Sequence, residues 1–213
     1  MSKQISLRDK KKAIIKLNIL NATIELIGNG FINDIQLSDI CDKADISKVT
    51  FFKYFPRKES IIDYFFRIWN FHLEVDQLRH PKRGLERIEY LFQKVCQTKN
   101  ANNIMLNLIS YIASLKKPIA PIEITKAEKI ILYPEQEDVL NITVPDLRDI
   151  FIRCLDEALQ DGEISSNFNP DTIVKALAST FYGIPIVSHI RQENDLWKLY
   201  KEKLNLLFCG LKD

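Results

Sequence analysis

The chain has 213 residues, 46% of them hydrophobic and 27% charged, which supplies one large or two small buried cores and excludes a disordered or disulfide-built scaffold. Its net charge of +2 decides nothing, but residues 1–58 hold 11 Lys/Arg against 6 Asp/Glu while the remainder holds 19 against 22, so a basic N-terminal quarter precedes an acidic body. The four cysteines stand more than fifty residues apart, only three histidines occur, and no GxSxG, P-loop, HExxH or Rossmann glycine pattern is present. These features argue against an enzyme, a metal centre or a bound cofactor.

Residues 1–9 read as a polar arm without the apolar core of a signal peptide, and a first helix follows from about Lys10 to Gly28 on the spacing of Ile14, Leu17, Ile19 or Leu20, Ile24, and Ile27 or Leu26. Gly28 and Gly30 end it. Leu37, Ile40, Cys41 and Ala44 share one face of a short second helix. Asp45 and Ile46 then form a tight turn, Asp45 being tolerant of left-handed backbone. Ser47 is an N-cap that opens a third helix through Phe55, which Pro56 stops. Lys58 and Glu59 begin the next helix, with Ser60 to Arg79 carrying Ile61, Phe65, Ile68, Trp69, His72 and Leu73 on one stripe before His80-Pro81 breaks it.

Leu85–Cys96 and Ile104–Leu115 read as two further helices. The stretch 116–145 contains Pro118, Pro121, Pro134 and Pro145, which limits it to one short helix at Glu123–Leu132. Asp146 caps a helix to Gln160 that Asp161-Gly162 ends; after the loop Ser165–Asn169, Pro170 opens another, kinked or stopped at Pro185 and extended to about His189. A last helix spans Glu193–Phe208. No strand alternation, repeat, linker or membrane-length apolar stretch is read, so the expectation is an all-α cytoplasmic protein of two domains. The expected division is a helix-turn-helix domain over residues 1–58 and a larger helical domain over 59–213, which the resemblance described below implies binds an effector and dimerises.

The two short helices, their turn and the aromatic-basic cluster after them are what reading duplex DNA requires. Lys48 and Lys53 are donors to base edges or phosphates, the Thr50 hydroxyl reaches either, Tyr54 offers a phenol to a phosphate, and Lys58 adds its charge to the positive end of the following helix. Phe51 and Phe55 read as core wedges, while Phe52 is either an exposed aromatic or a phosphate-facing one. Phe66, Trp69, His72, Phe92, Met105, Tyr111, Phe151, Phe181 and Tyr182 supply aromatic and apolar surface for an effector pocket, although each taken singly is ordinary core material.

The order Ile40-Cys41, two residues, Ala44-Asp45-Ile46-Ser47, then Thr50-Phe51-Phe52, Tyr54-Phe55-Pro56 and Lys58-Glu59 resembles the N-terminal domain of the TetR family of transcriptional regulators, and Gly30-Phe31 matches that family's Gly-aromatic pair. Asp45 stands where the turn Gly is usual, Val49 where a small residue is, Phe52 where a Tyr hydroxyl meets a phosphate, and Gln36 where a Ser or Thr caps the second helix. The phrase Ala158 to Ile164 with the helix after it is similar to TetR-type C-terminal domains. The resemblance implies a repressor, released from a palindromic operator by a small-molecule effector and dimeric through its last two helices. Its DNA contacts would come from Gln36, Ser47, Lys48, Thr50, Phe52, Lys53, Tyr54 and Lys58. The competing expectation is a helical dimeric adaptor that keeps the fold and has lost specific DNA binding.

Overall fold

The computed structural model describes residues 5–28, 30–116 and 122–211, which are all-helical with no strand among them. Its α-helices are α1 (Leu7–Ile27), α2 (Leu37–Lys43), α3 (Lys48–Phe52), α4 (Ser60–Arg79), α5 (Gly84–Cys96), α6 (Ala101–Ser114), α7 (Lys126–Leu132), α8 (Leu147–Gln160), α9 (Pro170–Arg191) and α10 (Leu196–Cys209). They divide into two compact units, Met1–Val75 with Ser110–Val144, and Asp76–Ile109 with Pro145–Asp213. Part of the expected N-terminal arm, together with Pro118 and Pro121, lies outside the described residues.

In the first unit α1 starts three residues before its expected position, because the Ser6 side chain accepts from the Asp9 N–H at 3.1 Å and draws the arm into the first turn. Gly28, at φ +49°, ends it. Leu17, Ile19 and Leu20 of α1, Ile40 and Cys41 of α2, Phe51 of α3 and Ile61, Ile62 and Tyr64 of α4 are all buried. The third helix is shorter than its expected run to Phe55. Its bonds tighten at the end, with the Lys53 N–H on Thr50 O at 3.2 Å and the Tyr54 N–H on Phe51 O at 2.9 Å. Pro56 disfavours α backbone at Phe55, so the ladder closes early. Farther along α4, Phe71 and Val75 bury with Val139 beneath Ile124, Leu132 and Ile142.

The second unit packs α5, α8, α9 and α10 around an aromatic centre. Phe92 has its ring 5.4 Å from Phe181, 6.0 Å from Phe151 and 5.0 Å from Tyr200. Two carboxylates from α8 and the turn after it cap α5: Glu157 Oε2 accepts from the Gly84 N–H at 3.1 Å, and Glu163 Oε2 from the Leu85 N–H at 2.8 Å. Gly84 sits at φ +52°, and a Cβ there would overlap the Glu163 carboxylate and stand 3.3 Å from Ala158 Cα, so a larger residue would strain the backbone and push that carboxylate off the Leu85 N–H.

Of the two expected outcomes at Pro185, a stop is not seen: α9 continues through it to Arg191, two residues past the expected end at about His189. A proline inside a helix leaves the carbonyl four residues earlier without its donor. That carbonyl belongs to Phe181, and the buried Tyr200 hydroxyl of α10 donates to it at 2.7 Å. By length and composition α9 also qualifies as a membrane-crossing helix, which the sequence reading missed. Here Ile173, Val174, Leu177, Phe181 and Pro185 are buried within a unit where α9 packs on α8 and α10. Tyr200→Phe removes the donor that replaces the missing backbone bond and should lower the unfolding free energy by about 1–3 kcal/mol. Urea melts read this directly, and an unchanged midpoint would remove the hydroxyl from the account.

Candidate nucleic-acid interface

The turn between α2 and α3 is built by Asp45, held in the left-handed region at φ +52°, which reverses the chain so that the Ile46 N–H returns to Cys41 O at 3.0 Å. Ser47 then caps α3, its Oγ accepting from the Thr50 N–H at 3.1 Å and lying 3.0 Å from Thr50 Oγ1. A five-residue helix has too few internal bonds to persist alone. It is held by Phe51, fully buried, whose ring lies 5.8 Å from Phe55, which in turn is 5.5 Å from Tyr64 of α4. With Phe51 fixed inward, Lys48, Val49, Phe52 and Lys53 face out together. Val49 is 70% and Phe52 54% exposed, so Phe52 is an outward aromatic packed edge-on against Phe51.

The other expected contacts divide. Gln36 occupies the N-cap of α2 and is exposed, making no side-chain cap bond. Thr50 is half-buried with its hydroxyl on Ser47, so these two residues also build the cap of the reading helix. Tyr54 is half-buried and lines a cleft with Lys53, Lys12 and Lys16, which brings the Lys run of α1 to the end of α3. Lys58 precedes α4 instead of lying in its first turn, and its ammonium donates to Asn33 O at 2.9 Å and Ile35 O at 2.7 Å, tying down the connection between α1 and α2. Two ties were not legible beforehand. Lys43 of α2 pairs with Glu25 of α1 at 2.8 Å, and the Arg57 guanidinium lies 5.4 Å from the Tyr111 ring centre.

The helix-turn-helix, with Phe51 buried and Lys48 and Lys53 exposed, lies inside the stretch that a known family matches. Residues 19–65 match the model of the bacterial regulatory proteins of the tetR family. The fold of the whole chain agrees. The Bacillus subtilis transcriptional regulator FadR, solved in complex with stearoyl-CoA, aligns over 91% of this chain and 98% of its own at 20% identity with a TM-score of 0.61. The Escherichia coli NemR in its reduced form aligns over 93% and 98% at 12% identity and TM-score 0.60. Salmonella enterica GusR aligns over 92% and 93% at 14% identity and TM-score 0.57. No curated protein matches the chain.

Within the first unit, α7 is joined to α1 and α4 by a buried carboxylate. Glu128, with no exposed side-chain surface, pairs with the Lys16 ammonium at 2.7 Å and accepts from the Tyr64 hydroxyl and from Thr125 Oγ1 at 2.6 Å. The Thr125–Glu128 capping box that starts α7 presents this carboxylate. Lys16 also lies 4.3 Å from the Tyr64 ring centre. Burial alone would raise the Glu128 pKa, but the Lys16 charge and the three hydrogen bonds outweigh it and hold the carboxyl below its ordinary value. Burial also pushes the Tyr64 phenol up, with the neighbouring Glu128 charge adding to it.

The nine residues expected to line an effector pocket are divided between the two units. Phe92, Phe151 and Phe181 fill the core of the second unit in contact with one another, Met105 is buried there, and Tyr182 packs edge-on against Phe181. Tyr111, in the first unit, is buried next to Arg57. Phe66 lies edge-on to Trp69, and Trp69 and His72 line a cavity of about 590 Å³ in that same unit. The His72 ring is tied to the Tyr133 hydroxyl at 2.6 Å. The cysteines are free: Cys41 and Cys154 buried, Cys96 half-buried and Cys209 exposed. Burial pushes the Cys96 thiol up to about 12 and also raises that of Cys41, neither being the setting of a reactive thiolate.

Glu128→Gln leaves the buried Lys16 ammonium without its counter-charge and should cost about 3 kcal/mol at pH 7. Because the folded-state pKa is depressed, this stability is present above the ordinary glutamate range and is lost as the pH falls through the folded value. The gap between wild type and variant should therefore close in melts carried below about pH 4. A gap that stays constant with pH would mean that the ion pair does not carry it.

Proposed function

We propose that this chain is a homodimeric, cytoplasmic DNA-binding transcription regulator, a repressor that leaves a palindromic operator when a small molecule binds. The observation that carries the reading is the outward face of α3. Lys48, Val49, Phe52 and Lys53 are presented together on a helix whose buried Phe51 sets its rotation. Lysines serve phosphates and guanine edges, and Val49 and Phe52 are suited to the thymine methyl. Gln36, Ser47, Thr50, Tyr54 and Lys58 extend the contact set, the last through the loop it anchors.

In the proposed division of labour residues 1–58 read DNA and 59–213 bind the effector and dimerise. Dimerisation draws support from the second unit, where Ile186, Val187 and Ile190 of α9 and Leu206 of α10 are exposed large hydrophobics on the two C-terminal helices. Pairing these faces across a two-fold axis would set two reading helices on successive half-sites. Response to a small molecule is supported by the FadR neighbour, described in complex with stearoyl-CoA.

Titration of duplex DNA against salt tests this reading. Lys53→Ala and Lys48→Ala should each weaken binding and flatten the slope of log affinity against log salt by about one unit where the lysine meets a phosphate. Tyr54→Phe should weaken binding without changing helicity. Ile190→Glu should shift the protein to a monomer in sedimentation and abolish tight operator binding. Wild-type affinity and slope in both lysine variants would contradict a DNA role for α3.

A further inference from the structure

The TetR-type head is not a solid body. Between α1, α4 and α7, all within the first unit, lies the cavity of about 590 Å³, a size typical of small-molecule sites. Its walls are Leu17, Leu20 and Ile24 of α1, Phe65 and Trp69 of α4 and Ile131 of α7, with His72 beside them. Asn18, Asn21 and Glu25, exposed and spaced three and four residues apart on α1, mark its mouth. Among the described residues that line it there is no Lys or Arg, and the Glu25 carboxylate is already paired with Lys43 at 2.8 Å. A carboxylate, phosphate or sulfonate would therefore enter without a counter-charge.

From this geometry we infer that the cavity between α1, α4 and α7 is an effector site for a neutral, mostly apolar molecule with a flat ring system. The ring stacks on Trp69, and a polar edge meets the amides at the mouth. This rests on the regulator reading given above and deepens it by locating its ligand. The aromatic core of the second unit is closed by its own side chains, with Phe92, Phe151, Phe181 and Tyr200 each at most 1% exposed. The cavity in the first unit has open volume, and its α1 wall is the same helix that pairs with α2 through Lys43–Glu25 and with α7 through Lys16–Glu128. A molecule seated there touches both sides of the α1–α7 contact within two turns of the buried ion pair. It thereby binds one setting of α1 more tightly than another, which is the condition for an effector.

The chain has two tryptophans, so Trp197→Phe leaves Trp69 as the sole reporter in the full-length protein. The probe is N-phenyl-1-naphthylamine, neutral and flat, with 1-anilinonaphthalene-8-sulfonate as its anionic counterpart. The expected result is saturable quenching of Trp69 by the neutral probe at one site per chain, and binding at least ten-fold weaker for the sulfonate. Asn21→Phe, which fills the mouth from an exposed position, and Ile131→Phe, which fills the wall, should each weaken the neutral probe at least five-fold with unchanged helicity. Saturating probe should change affinity for duplex DNA, and DNA should change probe affinity by the same factor. Quenching that is absent, or equally strong in both filled variants, overturns the site, and saturable quenching with no effect on DNA affinity overturns its effector role. Loss of DNA binding in the probe-free protein would count against the regulator reading alone, since the quenching series still decides the cavity.

Discussion

The burial of Phe51 is the constraint on which the outward face of the third helix depends. A helix of five residues has no orientation of its own, and its rotation about its axis is whatever its single core side chain allows. Phe51 has no exposed surface and meets Phe55, which meets Tyr64. Once that ring is seated, helical periodicity turns Lys48, Val49, Phe52 and Lys53 to the outside. Asp45 in left-handed backbone and the Ser47 cap fix where the helix begins. The departures from the family pattern at positions 45, 49 and 52 therefore alter the chemistry of the face and leave its geometry intact.

Tyr64 links that surface to the rest of the first unit. Its ring supports Phe55, its hydroxyl donates to Glu128, and Glu128 holds Lys16. A displacement of α7 thus has a direct route to the third helix through two side chains, and the buried charge makes the arrangement costly to leave half-made. The cavity flanked by α1 and α7 is lined by sequence neighbours of this route, Leu17 next to Lys16 and Phe65 next to Tyr64. The second unit is organised differently, by backbone repair: Tyr200 serves the carbonyl that Pro185 strands, and Glu157 and Glu163 serve the first amides of α5. Its polar groups secure helix ends and breaks, leaving the aromatic centre to pack.

Local signals were legible in the chain to the extent that they act locally. Periodicity placed α4, α5, α6 and α8 within a few residues, and the turn at Asp45 and cap at Ser47 followed from single-residue chemistry. The errors came where a distant group intervened. Pro185 signals a kink or a stop, and the Tyr200 hydroxyl, fifteen residues on, supplies the donor that the continued helix lacks. Lys58 carries the charge of a phosphate ligand, yet its partners are carbonyls more than twenty residues earlier. Residue type alone cannot distinguish an aromatic that fills a core, such as Phe151, from one that borders a void, such as Trp69. Glu128 was invisible for the same reason, since a carboxylate in a charged stretch gives no sign of burial until α1 and α4 are brought to it.

The central claim is that the outward face of α3, doubled by dimerisation, reads a specific DNA sequence. In-vitro selection of duplex DNA from a random library, with the affinity of the enriched sequence followed against salt, tests it most directly. The account predicts a palindrome whose half-sites lie about one helical turn apart, with a slope corresponding to several phosphate contacts. Failure to enrich any sequence, with only weak salt-labile binding remaining, would contradict it and leave a helical dimeric adaptor built on the same fold.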